Sequence, residues 1–246
     1  MSIRPPTPPG GPVLPRPVNK RTDAEQLSLA PGPAPAGRRA GTDESGKGDF
    51  FGPLVIAAVA CDFAQGVLLA DWGITDSKKL SDGRAARLAA QIREAGIPHS
   101  VVAIGPEKYN ELYGKFRNLN RMLAWGHARA IENLLEQVAV DIVIADQFGD
   151  ESLIERALFE KGRQVRLVQM PRGEADIAVA AASVLARAEF LRRLQALGRE
   201  YGVTLPKGAG APVDVAAAQI AKSHGLEVLA RLVKTHFKNF YKIPRG

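Results

Sequence analysis

Residues 140–169 read VDIVIADQFGDESLIERALFEKGRQVRLVQ, and the order of patterns in that stretch decides the fold class. Val140–Ala145 is an apolar, β-branched run of strand length, and Val165–Gln169 is a second. Between them, Ser152–Glu160 has helical spacing. A strand, a helix and a strand in that order predict a parallel β-α-β crossover.

The same mixture continues outward. Leu54–Ala60 reads as a buried strand, and His99–Gly105 as another, bounded by Pro98 and Pro106. Ser81-Asp82-Gly83-Arg84 caps a helix running to about Ala95, and Asn118 or Asn120 starts one that continues through Val138. A long apolar helix is expected over Asp176–Leu197, with shorter ones near Val213–Lys222 and Glu227–Lys234. Strands interleaved with helices define an α/β domain with a central sheet.

Ten of the 17 prolines lie before residue 36, at 5, 6, 8, 9, 12, 15, 17, 31, 33 and 35. Proline removes backbone donors, and the stretch holds little apolar surface to offset chain entropy. The expectation is a disordered, basic tail over 1–39 and one folded domain over 40–246, a length that a single α/β core accommodates. The formal charge of +7 favours a polyanionic partner. The single cysteine, Cys61, lies in an apolar run and excludes a disulfide framework. No apolar stretch approaches the roughly 20 residues of a membrane span, so a cytoplasmic protein, expected to be monomeric, is predicted.

The chemistry concentrates in Gly41-Thr42-Asp43-Glu44-Ser45-Gly46-Lys47-Gly48-Asp49-Phe50-Phe51-Gly52-Pro53. Two adjacent carboxylates run into a glycine-rich loop bearing a lysine. Glycines let backbone N–H groups approach a phosphate or ribose, and Lys47 neutralises charge. The spacing is not that of a Walker A loop, which disfavours a nucleoside triphosphatase. A solvated acid–glycine turn would carry the same residues, so the remaining acids matter. Asp146 ends an apolar strand, where ligands of open α/β sheets bind. Glu174 and Asp176 precede the apolar helix, and Asp176 also suits its N-cap. Carboxylates from separate segments, without a His or Cys cluster, suit two Mg²⁺ or Mn²⁺ ions in phosphodiester hydrolysis.

Other residues are less pointed. Tyr109, Tyr113, Phe116 and Trp125 alternate with Lys108, Lys115, Arg117 and Arg121 in the pattern of a stacking face, although core packing suits Trp125 better. Lys207, Lys234, His236 and Lys238 are candidates for lining a nucleic-acid groove. His99, His127 and His224 have no metal-ligand spacing and read as structural or surface residues.

From Gly41 to Asn239 the chain resembles the ribonuclease HII/HIII family. The resemblance is carried by Asp43–Pro53, Asp76-Ser77-Lys78-Lys79-Leu80, Pro106-Glu107-Lys108-Tyr109-Asn110, Leu123-Ala124-Trp125-Gly126-His127-Ala128, Asp146-Gln147-Phe148, Ala178–Ser183, Leu205–Gly210 and His236-Phe237-Lys238-Asn239. It implies a ribonuclease H-like fold, a mixed five-stranded sheet flanked by helices, with helices at the C-terminus. It also implies hydrolysis of the RNA strand of RNA–DNA hybrids to 5′-phosphate and 3′-hydroxyl ends.

Carried across, Asp43, Glu44 and Asp146 are metal ligands. Gly46, Lys47 and Gly48 contact the ribose 2′-hydroxyl and its phosphate, and Lys78 and Lys79 the nucleic-acid backbone. Glu174 and Asp176 compete for the family's fourth carboxylate, and Arg172-Gly173-Glu174 matches its basic–small–acid triplet better. Lys47, where the HII branch usually has arginine, favours the HIII branch. The proline-rich N-terminus does not match the TATA-binding-protein-like domain that HIII members commonly carry. Incision at single ribonucleotides in duplex DNA, the HII-type activity, is the nearest alternative. A non-catalytic hybrid-binding protein is the alternative from another class.

Overall fold

The computed structural model describes residues 37–146 and 152–243. The expectation of a tail over 1–39 falls outside them except at 37–39, as does the Gln147-Phe148 part of the strand-end motif.

Strand β1 (Arg39–Ser45) runs into the glycine loop, and β2 (Leu54–Cys61) returns beside it. Helices α1 (Phe63–Asp71) and α2 (Asp82–Glu94) lead to β3 (His99–Ile104). Next come α3 (Pro106–Phe116), α4 (Leu119–Leu135), β4 (Ile142–Asp146), the short α5 (Ser152–Ala157) and β5 (Arg166–Met170). The long α6 (Ile177–Glu200) follows, then α7 (Ala211–His224), α8 (Leu226–Leu232) and α9 (Lys238–Tyr241).

The five strands lie in the order β3-β2-β1-β4-β5. β1–β2 and β2–β3 are antiparallel, while β1–β4 and β4–β5 are parallel, so the sheet is mixed and contains the expected crossover. This is the ribonuclease H-like arrangement of the sequence reading. No helix among the described residues is long and apolar enough to cross a membrane.

The sheet is central because β2 is buried on both faces. Val55, Ala57, Val59 and Cys61 face the core shared with α2 and α6. Leu54, Ile56, Ala58 and Ala60 face the one shared with α4. Such double burial produces an uninterrupted apolar run instead of an alternating one. α6 lies directly on β1 at Gly41, where any Cβ would run into the backbone of Ala178 and Val179. Small residues at the crossing let a helix start at the sheet, beside the beginning of β1.

Three helices were not anticipated, α1, α3 and the four-residue α9, although the first two carry local signals. Asp62 and Gln65 form a reciprocal capping box at the start of α1, and Pro106 opens α3. Asn118 caps α4 and Ser81 caps α2, as expected. The helix expected over 152–160 ends at Ala157.

Candidate active site

The sheet order makes β1 and β4 neighbours, and their parallel register sets Thr42 opposite Ala145. Asp43 and Asp146 each follow by one residue, so two carboxylates from chain segments about a hundred residues apart end side by side. Asp43, Glu44 and Asp146 line one pocket, with Gly46, Lys47 and Gly48 on its wall. Adjacent residues of a regular strand face opposite ways. Both acids reach the pocket because β1 ends at Ser45 and turns at Gly46, whose φ of +89° favours glycine. A Cβ at Gly46 would also meet the Pro53 carbonyl.

The two acids are held differently. Asp43 accepts from the Glu44 amide at 2.8 Å. Burial, and then the charge of Glu44, push its carboxyl up to about 8. Burial acts against Glu44 too, but the His127 hydrogen bond and charge, followed by Lys47, pull its carboxyl down to about 2. Lys47 Nζ lies 3.5 Å from Glu44 Oε1 and His127 Nε2 lies 3.2 Å from Oε2.

His127, expected to be structural or at the surface, is a buried neighbour of this acid. Its Nδ1 is 2.9 Å from Thr42 Oγ1, and that hydroxyl donates to Ala57 O at 2.8 Å. A hydroxyl has one proton to give. The oxygen is therefore placed to accept from Nδ1, and Nε2 faces Glu44 Oε2. The available sequence signal was a lone polar residue within the buried stripe Leu123, Ala124, Ala128, Ile131 of α4.

Glu174 and Asp176 are separated in role. Asp176 is buried, accepts from Ala178 N at 2.8 Å as the N-cap of α6, and pairs with Arg39 at 3.1 Å. Glu174 is half-buried on a 3₁₀ turn, Gly173–Ala175. Gly173 N donates to Asp146 Oδ1 at 3.1 Å, and a Cβ on Gly173 would stand 3.0 Å from Asp146 Cα. That contact sets the turn bearing Glu174 against the end of β4, but Glu174 does not line the wall shared by the other three acids.

Lys78 lines the pocket and Lys79, also exposed, does not. The Lys78 segment is anchored on α6: Ser77 N donates to Ser183 Oγ at 3.1 Å, and Arg187 donates to Ser77 O and to Asp82 at 2.7 Å. One groove candidate and one stacking-face candidate move elsewhere. Lys234 is fully buried and Tyr109 is buried against it, because the C-terminal segment packs inward between α3 and the glycine loop.

Asp49 also lines the pocket, and the three strand-end carboxylates offer the oxygen donors that suit a hard dication. No group of three or more His, Cys, Asp or Glu side chains among the described residues is already closed around a point. The fit therefore rests on charge and donor type. Burial first, and then the charge of Glu44, raise the Asp43 carboxyl, and a dication bound there would favour its ionised form.

A sheet of this order, with acids at the ends of its central strands beside a glycine–lysine turn, defines a nuclease of ribonuclease H-like fold. A family model described as Ribonuclease HII matches residues 40–240. Ribonuclease HIII of Chlamydia pneumoniae is 50% identical over 211 residues, 85% of this chain and 70% of that protein. That of Protochlamydia amoebophila is 47% identical over 198 residues, 80% and 65% of the two chains. The crystal structure of Bst-RNase HIII in complex with Mn²⁺ superposes with a TM-score of 0.78 at 34% identity, covering 84% of this chain and 69% of that one. The chain belongs to the ribonuclease HII/HIII family, and the two chlamydial relatives it resembles are ribonucleases HIII.

Proposed function

We propose that the chain is an endoribonuclease that hydrolyses the RNA strand of RNA–DNA hybrids, leaving 5′-phosphate and 3′-hydroxyl ends, with residues 40–246 as the catalytic unit. One observation carries the reading: the β1–β4 register brings Asp43 and Asp146 together beside Glu44, in the pocket walled by Gly46–Gly48.

Asp43, Glu44 and Asp146 would hold Mg²⁺ or Mn²⁺, with Glu174 as the fourth carboxylate on the turn next to Asp146. The Mn²⁺ complex of the Bst relative supports a divalent ion. Two such ions supply activation of the attacking water and stabilisation of the departing oxygen. The protein's own groups do the rest. His127 orients Glu44 by occupying Oε2 and leaves Oε1 towards Lys47. The Gly46 and Gly48 backbone lets a ribose and its 2′-hydroxyl approach closely, the group that distinguishes RNA from DNA. Lys47 and Lys78 neutralise flanking phosphates, and the anchoring of Ser77 by Ser183 and Arg187 keeps Lys78 at the rim.

Cleavage mapping on an all-RNA hybrid and on a DNA duplex with one ribonucleotide, in Mg²⁺ and in Mn²⁺, tests this reading. The expected result is multiple cuts within the RNA tract, with 5′-phosphate ends, and slower incision at the single ribonucleotide. Equal rates on both substrates would assign the HII-type activity, and binding without cleavage would assign a hybrid-binding protein.

A further inference from the structure

We infer that Lys234 is a positioning residue for the Gly46–Gly48 turn, holding the substrate-reading loop in place from the far end of the chain. The inference rests on the role proposed above for that turn. Lysine is almost never fully buried without partners, and Lys234 has no exposed surface. Its Nζ donates to Asp49 O at 2.7 Å and to Gly52 O at 2.8 Å, and lies 5.4 Å from the centre of the Tyr109 ring. One nitrogen thus ties together both ends of the arch Asp49–Gly52, whose middle residues Phe50 and Phe51 are buried.

The same segment adds backbone bonds: Lys234 N donates to Phe50 O at 2.9 Å, and Gly52 N donates to Leu232 O at 2.9 Å. On the other side of the arch, Gly208 N donates to Asp49 Oδ1 at 2.6 Å and Phe50 N donates to Gly208 O at 2.9 Å. Asp49 N closes back on Gly46 O at 3.3 Å. The turn is therefore fixed at its start by β1 and at its end by Lys234.

Lys234 is fixed in turn by α3. Asn110 Nδ2 donates to Val233 O at 2.9 Å and to Ala230 O at 3.3 Å, and Asn110 Oδ1 accepts from Thr235 N at 3.0 Å. A methionine would fill the same volume without desolvating an amine. What the amine adds is two directed bonds to carbonyls of the loop beside the acids, and a buried carbonyl stripped of its donor is costly. Burial depresses the ammonium, to about 7, and a neutral amine still has two N–H groups for the two carbonyls.

The test uses the full chain. Lys234→Met is compared with Lys47→Ala, and with Leu134→Ala, a core truncation on α4 that lowers Tm without approaching the loop. Steady-state cleavage of a labelled RNA–DNA hybrid, calorimetric Mn²⁺ binding and Tm are measured for each, well below the lowest Tm. The expected result for Lys234→Met is a KM raised between about tenfold and a hundredfold, the scale of a small misplacement of a positioning group. Its kcat and Mn²⁺ affinity stay near those of the parent, and Leu134→Ala leaves KM unchanged.

If Lys47→Ala raises KM and Lys234→Met does not, the positioning role is overturned while the reading of the loop stands. If Lys47→Ala leaves KM unchanged, the reading of the loop itself falls. Should Lys234→Met not fold, Asn110→Ala decides: a raised KM at constant kcat supports the role, and an unchanged KM overturns it.

Discussion

His127 Nε2 lies 3.2 Å from Glu44 Oε2, and the opposite ring nitrogen lies 2.9 Å from Thr42 Oγ1. A histidine on α4 thereby fixes the orientation of a carboxylate on β1. Removing such a partner from a ligating group typically costs 10–100-fold in metal affinity or activity. His127→Ala should lower kcat on a hybrid by about that factor, and His127→Gln should recover part of it. Stopped assays at saturating substrate check this; an unchanged kcat in His127→Ala would remove the histidine from the account.

The fourth carboxylate is decided by a pair of isosteric substitutions. Glu174→Gln should lose most of the activity with little change in Tm. Asp176→Asn should keep activity and lose only about 0.2–1 kcal/mol of stability, because asparagine still caps α6 while the ion pair with half-exposed Arg39 is lost. Paired rate and Tm measurements separate them, and the opposite pattern would move the ligand to Asp176.

The contact between Gly41 and the α6 backbone leaves no room for a methyl group. Gly41→Ala should cost about 3 kcal/mol or more, since neither β1 nor α6 can retreat without opening a packed core. Urea unfolding measures it, and a near-parental midpoint would show that the crossing is looser than described.

Lys234 gives stability a pH slope. Burial holds its pKa down at about 7, against 10.5 for a free lysine. Between those values the unfolded chain binds more protons than the folded one, so stability rises with pH, by at most about 1.4 kcal/mol per unit. Cys61, pushed up to about 12 chiefly by burial, acts in the other direction above about 9. Asp43, raised to about 8, opposes this slope below pH 8, so the urea midpoint should climb from pH 8 to 9 and be flatter in that window in Lys234→Met. A parental midpoint that is flat over the window would contradict the burial of a titrating amine.

The fold was legible where periodicity was strong. The segment 140–169 gave the parallel crossover, and the uninterrupted apolar run 54–60 announced a strand covered on both faces. Helix α1 was overlooked although Asp62 and Gln65 spell a capping box, a four-residue signal that competes poorly with the apolar strand before it. At the site, Asp43, Glu44 and Asp146 stand out because acids at strand ends beside glycines have a chemical reading of their own. His127 and Lys234 did not, since their roles depend on which segments the fold brings together. The Thr42–His127–Glu44 relay joins residues 83–85 apart in sequence, and the Lys234–loop contacts join residues 182–185 apart. Residue type alone placed Lys234 with the surface lysines; its burial is a property of the packed C-terminal segment.

The central claim is that the acidic set performs metal-dependent cleavage while the surrounding surface binds the hybrid. Asp43→Asn tests it most directly, with cleavage of a labelled RNA–DNA hybrid assayed in Mg²⁺ and Mn²⁺, and binding of the same hybrid measured in EDTA. The account predicts cleavage lost in both metals and hybrid affinity in EDTA equal to that of the parent. Cleavage persisting in Asp43→Asn at the parental rate would contradict it.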